Sequence, residues 1–493
     1  MAFFITSDTK RLTWPLAPAS LAAVTAQQTS AKPPPIPWSI WRIAAVTGAG
    51  SFIVMLDSTV VNLALESIRE DFDARLTLIQ WVASGYLVAL AVSLPASAWL
   101  GSRFGYGTVY QWALAGFTLG SALCALAPGP VSLIAARVIQ GLAGGLMVPS
   151  AHAVNGSVTT RRQLGRVIGT LGIMIAIGPA FGPVAGGWIL EASSWRWLFW
   201  INVPVGIVTF WGGQLVMPRG AVAGDRTLDK RGLLLVGIGL PVLLYGLTEI
   251  GSEGASVISL LAAIGGGALL LAFAFTAYKA PHPLLDLKLL RRKVFAAGVL
   301  TAGLSGANMY GGLLLLPLYF QIISGRSIAE TGLLLLWLGL GSGIALPIAG
   351  QLIDRFGAGL VCVAGAVALT VSTFPFVFMD EIGTTLLTAD LLLRGAGLAL
   401  VQMPAMTAAY TSVSGPEMGD AASLINIVQR TGGAIGAVGI VVILAQLGDG
   451  RAAYHGAFWA ILAAGACALA LASYLHRHIR LQEAARGQDG VEA

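Results

Sequence analysis

Long apolar runs, separated by short polar or Gly/Pro-marked breaks, fill most of the chain. Fourteen such runs can be separated, and each comes near the ~20 residues that a helix needs to cross a bilayer. They cover residues 43–66, 78–100, 108–127, 131–155, 167–190, 197–217, 232–250, 256–278, 294–322, 328–350, 358–379, 385–411, 422–447 and 454–475. The pattern predicts an all-α polytopic membrane protein with fourteen transmembrane helices.

Composition excludes a water-soluble protein. Of 493 residues, 56% are hydrophobic and only 11% are charged, against roughly 25% charged in soluble domains. The 63 glycines follow no collagen-like period and favour close packing of helices in lipid. Residues 1–42 are polar and Pro-rich and predict a disordered tail rather than a signal peptide.

The basic residues divide unequally between alternate loops. About 21 Lys and Arg fall in the loops that share a side with the termini, and about 5 fall in the others. Because cytoplasmic loops are the Lys/Arg-rich ones, both termini, including the tail 476–493, are predicted to face the cytoplasm across a cytoplasmic (inner) membrane. The net charge of +6 then reflects orientation and contact with anionic membrane lipids, and no nucleic-acid partner is expected.

Two loops repeat each other at a distance of 252 residues. Trp99-Leu-Gly-Ser-Arg-Phe-Gly105 follows the second run, and Gly350-Gln-Leu-Ile-Asp-Arg-Phe-Gly357 follows the tenth. This spacing predicts a 6+2+6 arrangement, with six-helix bundles over 43–217 and 294–475 and two additional helices within 218–293. Parallel halves of this kind place a substrate path at their interface.

Ionisable side chains within the predicted helices are rare and therefore mark candidate functional sites. Asp57 lies in the middle of the first helix, where it could take part in proton or cation coupling or serve as a fixed strut. Arg137 enters the fourth helix and could couple, gate or snorkel to the outer interface. For Arg394 snorkelling is favoured, with Asp390 one turn earlier as its partner.

The fifth predicted helix is unusually rich in Gly and Pro, which favours a bendable gating face, although tight packing alone could explain part of it. The residues concerned are Gly178, Pro179, Gly182, Pro183, Gly186 and Gly187. Polar in-helix residues could line a substrate cavity or cross-link helices. The candidates are Asn62, Gln140, Asn308, Gln321, Gln402 and Asn426. Tryptophans around the fifth and sixth helices, Trp195 among them, are expected to form an interfacial belt.

The sequence contains no motif for ATP hydrolysis or for metal binding. The chain has no Walker loop, so it is not expected to use ATP itself, and no His/Cys pattern with metal-ligand spacing. Its three cysteines (Cys124, Cys362 and Cys467) lie in apolar stretches and are expected to be small core residues. Neither enzymatic activity, a metal nor a cofactor is predicted.

Four motifs in the expected order resemble the fourteen-span drug:proton antiporters of the major facilitator superfamily. Leu56-Asp-Ser-Thr-Val-Val-Asn-Leu-Ala-Leu65 is similar to the first-helix signature, and Arg137-Val-Ile-Gln-Gly141 to the fourth-helix Arg-x-x-Gln-Gly. Gly178 to Gly187 matches every fixed position of the fifth-helix antiporter motif. Trp195 to Gly206 resembles the start of the sixth helix in this branch.

The resemblance implies a major facilitator fold and roles for individual residues. Asp57 and Arg137 inherit a part in proton coupling, and the Gly/Pro face inherits a part in favouring export. The repeated loops, through Arg103, Gly105, Asp354, Arg355 and Gly357, inherit a part in conformational change. Ser102 replaces the family's Asp in the first copy, whereas the second copy keeps Asp354. The charged contacts that hold such a loop to neighbouring helices are therefore expected mainly in the second half.

These features together predict a proton-coupled exporter of lipophilic small molecules that functions as a monomer by alternating access. Sparse buried acids favour a neutral, zwitterionic or monovalent substrate. A dedicated exporter of one antibiotic, siderophore or lipid is the alternative, and a non-transporting membrane sensor a weaker one. Substrate identity, proton stoichiometry, oligomeric state and any partner protein extending the export path are not encoded in recognisable motifs.

Overall fold

A computed structural model describes residues 36–218, 228–254, 256–280, 283–379, 383–447 and 450–489, in which every regular element is helical. Helices α1 to α8 are Trp38–Asp71, Leu76–Ser93, Ala96–Phe104, Tyr106–Ala125, Pro130–Val158, Arg161–Ala192, Trp197–Trp200 and Asn202–Val216. Helices α9 and α10 are Lys230–Glu253 and Val257–Lys279. Helices α11 to α17 are Lys293–Leu318, Ile328–Phe356, Ala358–Val371, Phe374–Phe378, Thr384–Thr411, Met418–Leu447 and Arg451–Asp489.

The helices make this a multi-pass membrane protein. In the described ranges, 11 helices are long and apolar enough to cross a bilayer, or up to 12 if the pair bent by 53° at Leu94-Pro95 is one span. Pro95 accounts for the bend, because proline cannot donate the hydrogen bond that would continue α2 into α3. The count of fourteen spans is not established by these criteria and stays a prediction.

The predicted tails are only partly described. Residues 1–35 of the predicted disordered segment lie outside the described residues, and α1 begins at Trp38, so residues 38–42 are helical. At the other end α17 continues to Asp489, through most of the predicted tail. Apolar length alone could not show this, because a helix can extend beyond the hydrocarbon core with polar residues.

Glycines bring helix backbones into direct contact. A methyl group added at Gly141 or Gly145 of α5 would overlap the carbonyl oxygens of Tyr86 or Leu90 on α2. In the same way, a methyl group at Gly395 of α15 would overlap the Leu338 carbonyl oxygen on α12. The high glycine content therefore serves close helix packing, the use expected for small residues in membranes.

The repeated loops have matching backbones. Gly105 has φ 84° and ψ 134°, and Gly357 has φ 80° and ψ 150°. Each glycine ends one helix and begins the next at a left-handed φ that disfavours other residues. The repeat seen in the sequence thus extends to the conformation of the chain. The end of the helices where Gly105 and Gly357 lie is called the loop end below.

Helices α1 to α8 are called the first set below, and helices α11 to α17 the second set. Contacts between the two sets concentrate at the loop end. Helix α6 packs against α12, and α5 packs against α16. One apolar core joins the two sets, with Leu164 and Ile168 of α6 in the same cluster as Met406 and Tyr410 of α15. The structure is therefore closed at the loop end. The boundaries drawn at 43–217, 218–293 and 294–475 stay predictions.

Asp71, at the end of α1 opposite the loop end, forms polar contacts with Arg196 and Trp195. Asp71 accepts hydrogen bonds from Arg196 (2.8 Å) and from the Trp195 ring nitrogen (3.1 Å). The Arg196 guanidinium holds the pKa of Asp71 below its usual range. Trp195 is only 3% exposed and packs between Phe72 and Phe199. Trp195 is therefore not exposed to lipid as a member of an interfacial belt would be, because neighbouring protein side chains cover its ring.

Candidate functional site

Asp57 of α1 lies at the centre of a buried hydrogen-bond network. Its Oδ2 accepts from Arg137 of α5 at 2.5 Å. Its Oδ1 accepts from the side-chain amides of Gln140, at 3.0 Å, and Asn202, at 3.0 Å. Two helices distant in sequence, α5 and α8, thus supply donors to one carboxylate on α1. We call Asp57, Arg137, Gln140 and Asn202 the Asp57 network.

Arg137 is held on several sides. Its Nε donates to the Val82 carbonyl (3.0 Å), and its NH1 also donates to Gln140 Oε1 (2.7 Å). The guanidinium stacks over the Tyr86 ring with a centroid distance of 4.0 Å, a cation–π geometry. The side chain is 1% exposed. Snorkelling, one alternative left open by the sequence, is therefore wrong for Arg137, because its charge is neutralised inside the protein.

The Asp57 network is sealed from solvent. Asp57 is 1% exposed, and Gln140 and Asn202 are 0% exposed. A buried ion pair is stable only while both charges are present, since removing one leaves the other uncompensated at a cost of about 3–5 kcal/mol. The Asp57 network therefore balances one buried anion with one buried cation, and loss of either charge would leave the other unpaired.

Sequence reasoning missed part of this network. The sequence marks Asn202 only as part of a motif, and it gives no prediction for Tyr86 or Ser121. Asn202 donates to Ser121 (3.1 Å), whose hydroxyl donates to the Phe199 carbonyl at 3.0 Å. A buried Asn at the start of a membrane helix was the available signal, because a polar amide in such a place needs partners. Tyr86 and Ser121 gave no comparable signal.

Arg394 of α15 is enclosed by protein, which overturns the favoured snorkelling hypothesis. It is 1% exposed, and its NH1 donates to Thr373 at 2.9 Å. Among the described residues its Nε and NH2 have no hydrogen-bond partner, and neither has Oδ2 of Asp390. The expected Asp390–Arg394 pairing is therefore not formed. Gly312 of α11 lies opposite the guanidinium, where a Cβ would be 3.3 Å from NH2.

The Gly/Pro face of α6 is described only in part. The side-chain surroundings of Gly178, Pro179 and Pro183 lie outside the described residues. A Cβ at Gly182 would overlap Thr59 Oγ1 of α1, and one at Gly186 would come within 3.1 Å of Val60. A Cβ at Gly187 would meet nothing within 4 Å. The motif glycines thus have unequal surroundings. Gly182 packs against Thr59, which follows Asp57 by two residues on α1.

This inequality predicts different outcomes within one motif. Gly182→Ala should separate α6 from α1 beside the Asp57 network and lower the transport rate by about tenfold, since an overpacked contact costs ~1–3 kcal/mol. Gly187→Ala is the matched control and should transport at the wild-type rate. Rates would be compared at equal amounts of membrane-inserted protein. Equal loss in both variants would mean that helix bending rather than the α1–α6 contact sets the requirement for glycine.

At the loop end an ion pair joins the two sets of helices. Arg166 of α6 lies 2.7 Å from Asp354 of α12, with side chains 22% and 12% exposed. Ser97 of α3 and Ser423 of α16 share a hydrogen bond of 2.8 Å. In the first copy of the loop, Arg103 is exposed, with its guanidinium 5.9 Å from the Phe104 ring centroid. Arg355 of the second copy is likewise exposed, over Phe356.

The remaining cavity candidates are dispersed. Asn308 is 1% exposed, and neither atom of its amide has a partner among the described residues. Asn426 donates to the Ala422 carbonyl of its own helix (2.9 Å), and Gln321 is exposed in the π-helical segment Tyr319–Ile323 that follows α11. Gln402 is half-buried. The side chain of Asn62 lies outside the described residues, so these candidates stay predictions.

Comparison with known proteins bears on the family. The model of the Major Facilitator Superfamily matches residues 47–437 and 325–490 of this chain. The chain belongs to the Major Facilitator Superfamily. Membership in this superfamily makes it a membrane transporter rather than an enzyme. It also accounts for the repeated loops, since superfamily members are built of parallel halves.

Individual relatives agree with the superfamily assignment. The chain is 34% identical over 409 residues to the multidrug resistance protein B homolog of Mycobacterium tuberculosis, covering 82% of this chain and 76% of the relative. It is 35% identical over 362 residues to the putative multidrug resistance protein MdtD of Salmonella typhi, covering 73% and 76%.

Solved structures show the superfamily fold. The human organic anion transporter MFSD10 aligns with a TM-score of 0.60 at 13% identity, over 89% of this chain and 99% of that one. A bacterial homologue of the iron transporter ferroportin aligns at 0.63 with 12% identity, over 88% and 99%. The major facilitator fold expected from the motifs is therefore confirmed.

Proposed function

We propose that this transporter is an antiporter of the fourteen-span drug:proton branch, which exports lipophilic small molecules across the cytoplasmic membrane in exchange for protons. The observation that carries the proposal is the sealed Asp57–Arg137 pair at 2.5 Å. The pair provides a carboxylate whose charge is balanced by a single cation, so a proton and a conformational change can be linked through it. The names of the relatives, multidrug resistance proteins, support a drug-like cargo.

Alternating access supplies the second element of the mechanism. The loop end is closed in this structure by the Arg166–Asp354 pair, the Ser97–Ser423 bond and the shared apolar core. With both termini in the cytoplasm, the loop end faces the cytoplasm, so this conformation blocks the inner side. A proton arriving from outside would then neutralise Asp57 and release Arg137. Rearrangement of α1 and α5 would follow, because Arg137 must find new partners.

The proposal includes the organisation expected from the sequence. The chain comprises two bundles of six spans with two extra spans between them, and it acts as a monomer within anionic lipid. The Gly/Pro face of α6, packed on α1 at Gly182, would transmit movement of the Asp57 network to α12 across the loop end. The cargo path lies between the bundles, where small molecules bind near the bilayer midplane.

Reconstituted protein tests the proposal directly. Liposomes containing the purified transporter should accumulate ethidium only while the lumen is more acidic than the medium. A protonophore should abolish the accumulation. Acidification should also be reversed by added ethidium, as exchange requires. Accumulation that survives collapse of the gradient would contradict proton coupling, whereas an intact gradient with movement of neither ethidium nor protons would point to a dedicated exporter with another cargo.

A further inference from the structure

A cavity opens on the surface of α13, α14 and α15, away from the Asp57 network. Its volume is about 430 Å³, within the range of 300–1,000 Å³ of small-molecule sites. Eight of the nine lining residues are uncharged and apolar, and the ninth is a carboxylate. They are Val371, Phe374, Pro375, Phe378, Met379, Leu386, Ala389, Leu393 and Asp390. We call it the Asp390 cavity.

Asp390 brings an unsatisfied acceptor to this apolar space. The residue is 6% exposed, and its Oδ2 is buried without a hydrogen-bond donor in the described part of the chain. Such an atom costs free energy until a donor reaches it. Arg394 does not line the cavity, since its guanidinium reaches Thr373 and faces Gly312 of α11. Among the described residues no side chain supplies that donor, which leaves room for one carried by a molecule in the cavity.

The walls favour a cation with an apolar body. Phe374 and Phe378 are 42% and 65% exposed and border the cavity. The Phe378 ring packs edge-on against Trp459 of α17 at 5.5 Å, which fixes its position. Aromatic faces attract cations, most strongly where water is excluded. Leu386, 45% exposed, extends the apolar wall.

We propose that the Asp390 cavity binds a lipophilic protonated amine. The ammonium donates a hydrogen bond to the Asp390 carboxylate, and the hydrocarbon lies between Phe374, Phe378 and Leu386. The unpartnered oxygen calls for a hydrogen-bond donor and the carboxylate charge for a cation, which disfavours quaternary ammonium, neutral alcohols and hydrocarbons as ligands. Anions are repelled by the carboxylate. Binding at this site needs no proton gradient, so the inference is independent of the proposed antiport.

The experiment uses the full chain in nanodiscs of phosphatidylcholine, whose headgroup has no N–H. A dodecylamine carrying an aliphatic diazirine is photolysed in the sample, and labelled peptides are mapped by mass spectrometry. Labels are expected between residues 371 and 393, with the dodecanol analogue labelling this stretch at background level. Asp390→Asn should lower labelling by about tenfold or more, because a charge-assisted hydrogen bond is lost. Asp390→Glu should retain most of it.

Cavity filling provides a test that does not alter charge. Leu386→Trp should abolish labelling, whereas Leu260→Trp, on an apolar surface of α10 with a matching exposure of 44%, should leave it intact. Unchanged labelling in Asp390→Asn, with the same peptides modified, would overturn the proposal. Loss of labelling in nanodiscs that contain phosphatidylethanolamine would overturn the commitment to a lipophilic amine and assign the cavity to a lipid headgroup. Ethidium exchange, measured separately, keeps failure here distinct from failure of the antiport.

Discussion

Asp57→Asn should abolish gradient-driven export while leaving the protein in the membrane. Asparagine keeps the size of the side chain but cannot be protonated at neutral pH or balance Arg137. Proton-driven ethidium accumulation in liposomes should fall by about a hundredfold, the factor that corresponds to ~3 kcal/mol for an unpaired buried charge. Ethidium movement down its own concentration gradient should be affected less, because that movement requires no proton.

A double variant separates coupling from folding. Asp57→Asn alone should lower the unfolding temperature in detergent, since Arg137 remains buried at 1% exposure without its carboxylate. Adding Arg137→Gln removes the unpaired charge and should restore much of that temperature but none of the proton coupling. Coupled transport at the wild-type level in either variant would remove Asp57 from the mechanism.

Breaking the Arg166–Asp354 pair should open the loop end. Asp354→Asn removes an attraction across the interface at 2.7 Å, and we expect the population of states open at the loop end to rise by about tenfold. Spin labels at exposed Thr160 and Pro416, one in each set of helices, should then report a longer distance by pulsed electron resonance.

Charge reversal provides the control for this prediction. Arg166→Asp alone should open the loop end as Asp354→Asn does, whereas Arg166→Asp combined with Asp354→Arg should restore the short distance. Lys230→Gln, exposed at the start of α9 and outside the repeated loops, should leave the distances unchanged. Identical distances in wild type and Asp354→Asn would show that the apolar core, not the ion pair, keeps the loop end closed.

Much of the fold could be predicted because the bilayer imposes simple rules on a sequence. Apolar runs indicated the helices. The repeated loops indicated two similar helix connections, and the backbone angles at Gly105 and Gly357 are indeed alike. The ends of the helices were predicted less accurately: α1 begins at Trp38 and α17 ends at Asp489, both beyond the apolar runs. Helices can extend past the membrane at no great cost, so apolar length does not mark their ends. The bend at Pro95 was also not expected, since the second apolar run continues through it without interruption.

The candidate site was predictable residue by residue but not as a contact. Asp57 and Arg137 could each be selected because buried charge is costly, yet their pairing joins positions 80 residues apart. For Arg394 the same rule gave the wrong answer, because sequence does not show that Thr373 and Gly312 enclose it. Donors such as Asn202 could not be selected in the same way, because an uncharged amide in a membrane helix is far less costly than a charge and so does not stand out in the sequence.

The two left-handed glycines show which part of the repeated loop depends on charge. The loops at Gly105 and Gly357 differ in charge, with Ser102 in one and Asp354 in the other, yet their φ angles, 84° and 80°, nearly coincide. The turn therefore forms with or without the acidic side chain. The aspartate of the second copy is free to serve the contact between α6 and α12 without being needed for the path of its own backbone.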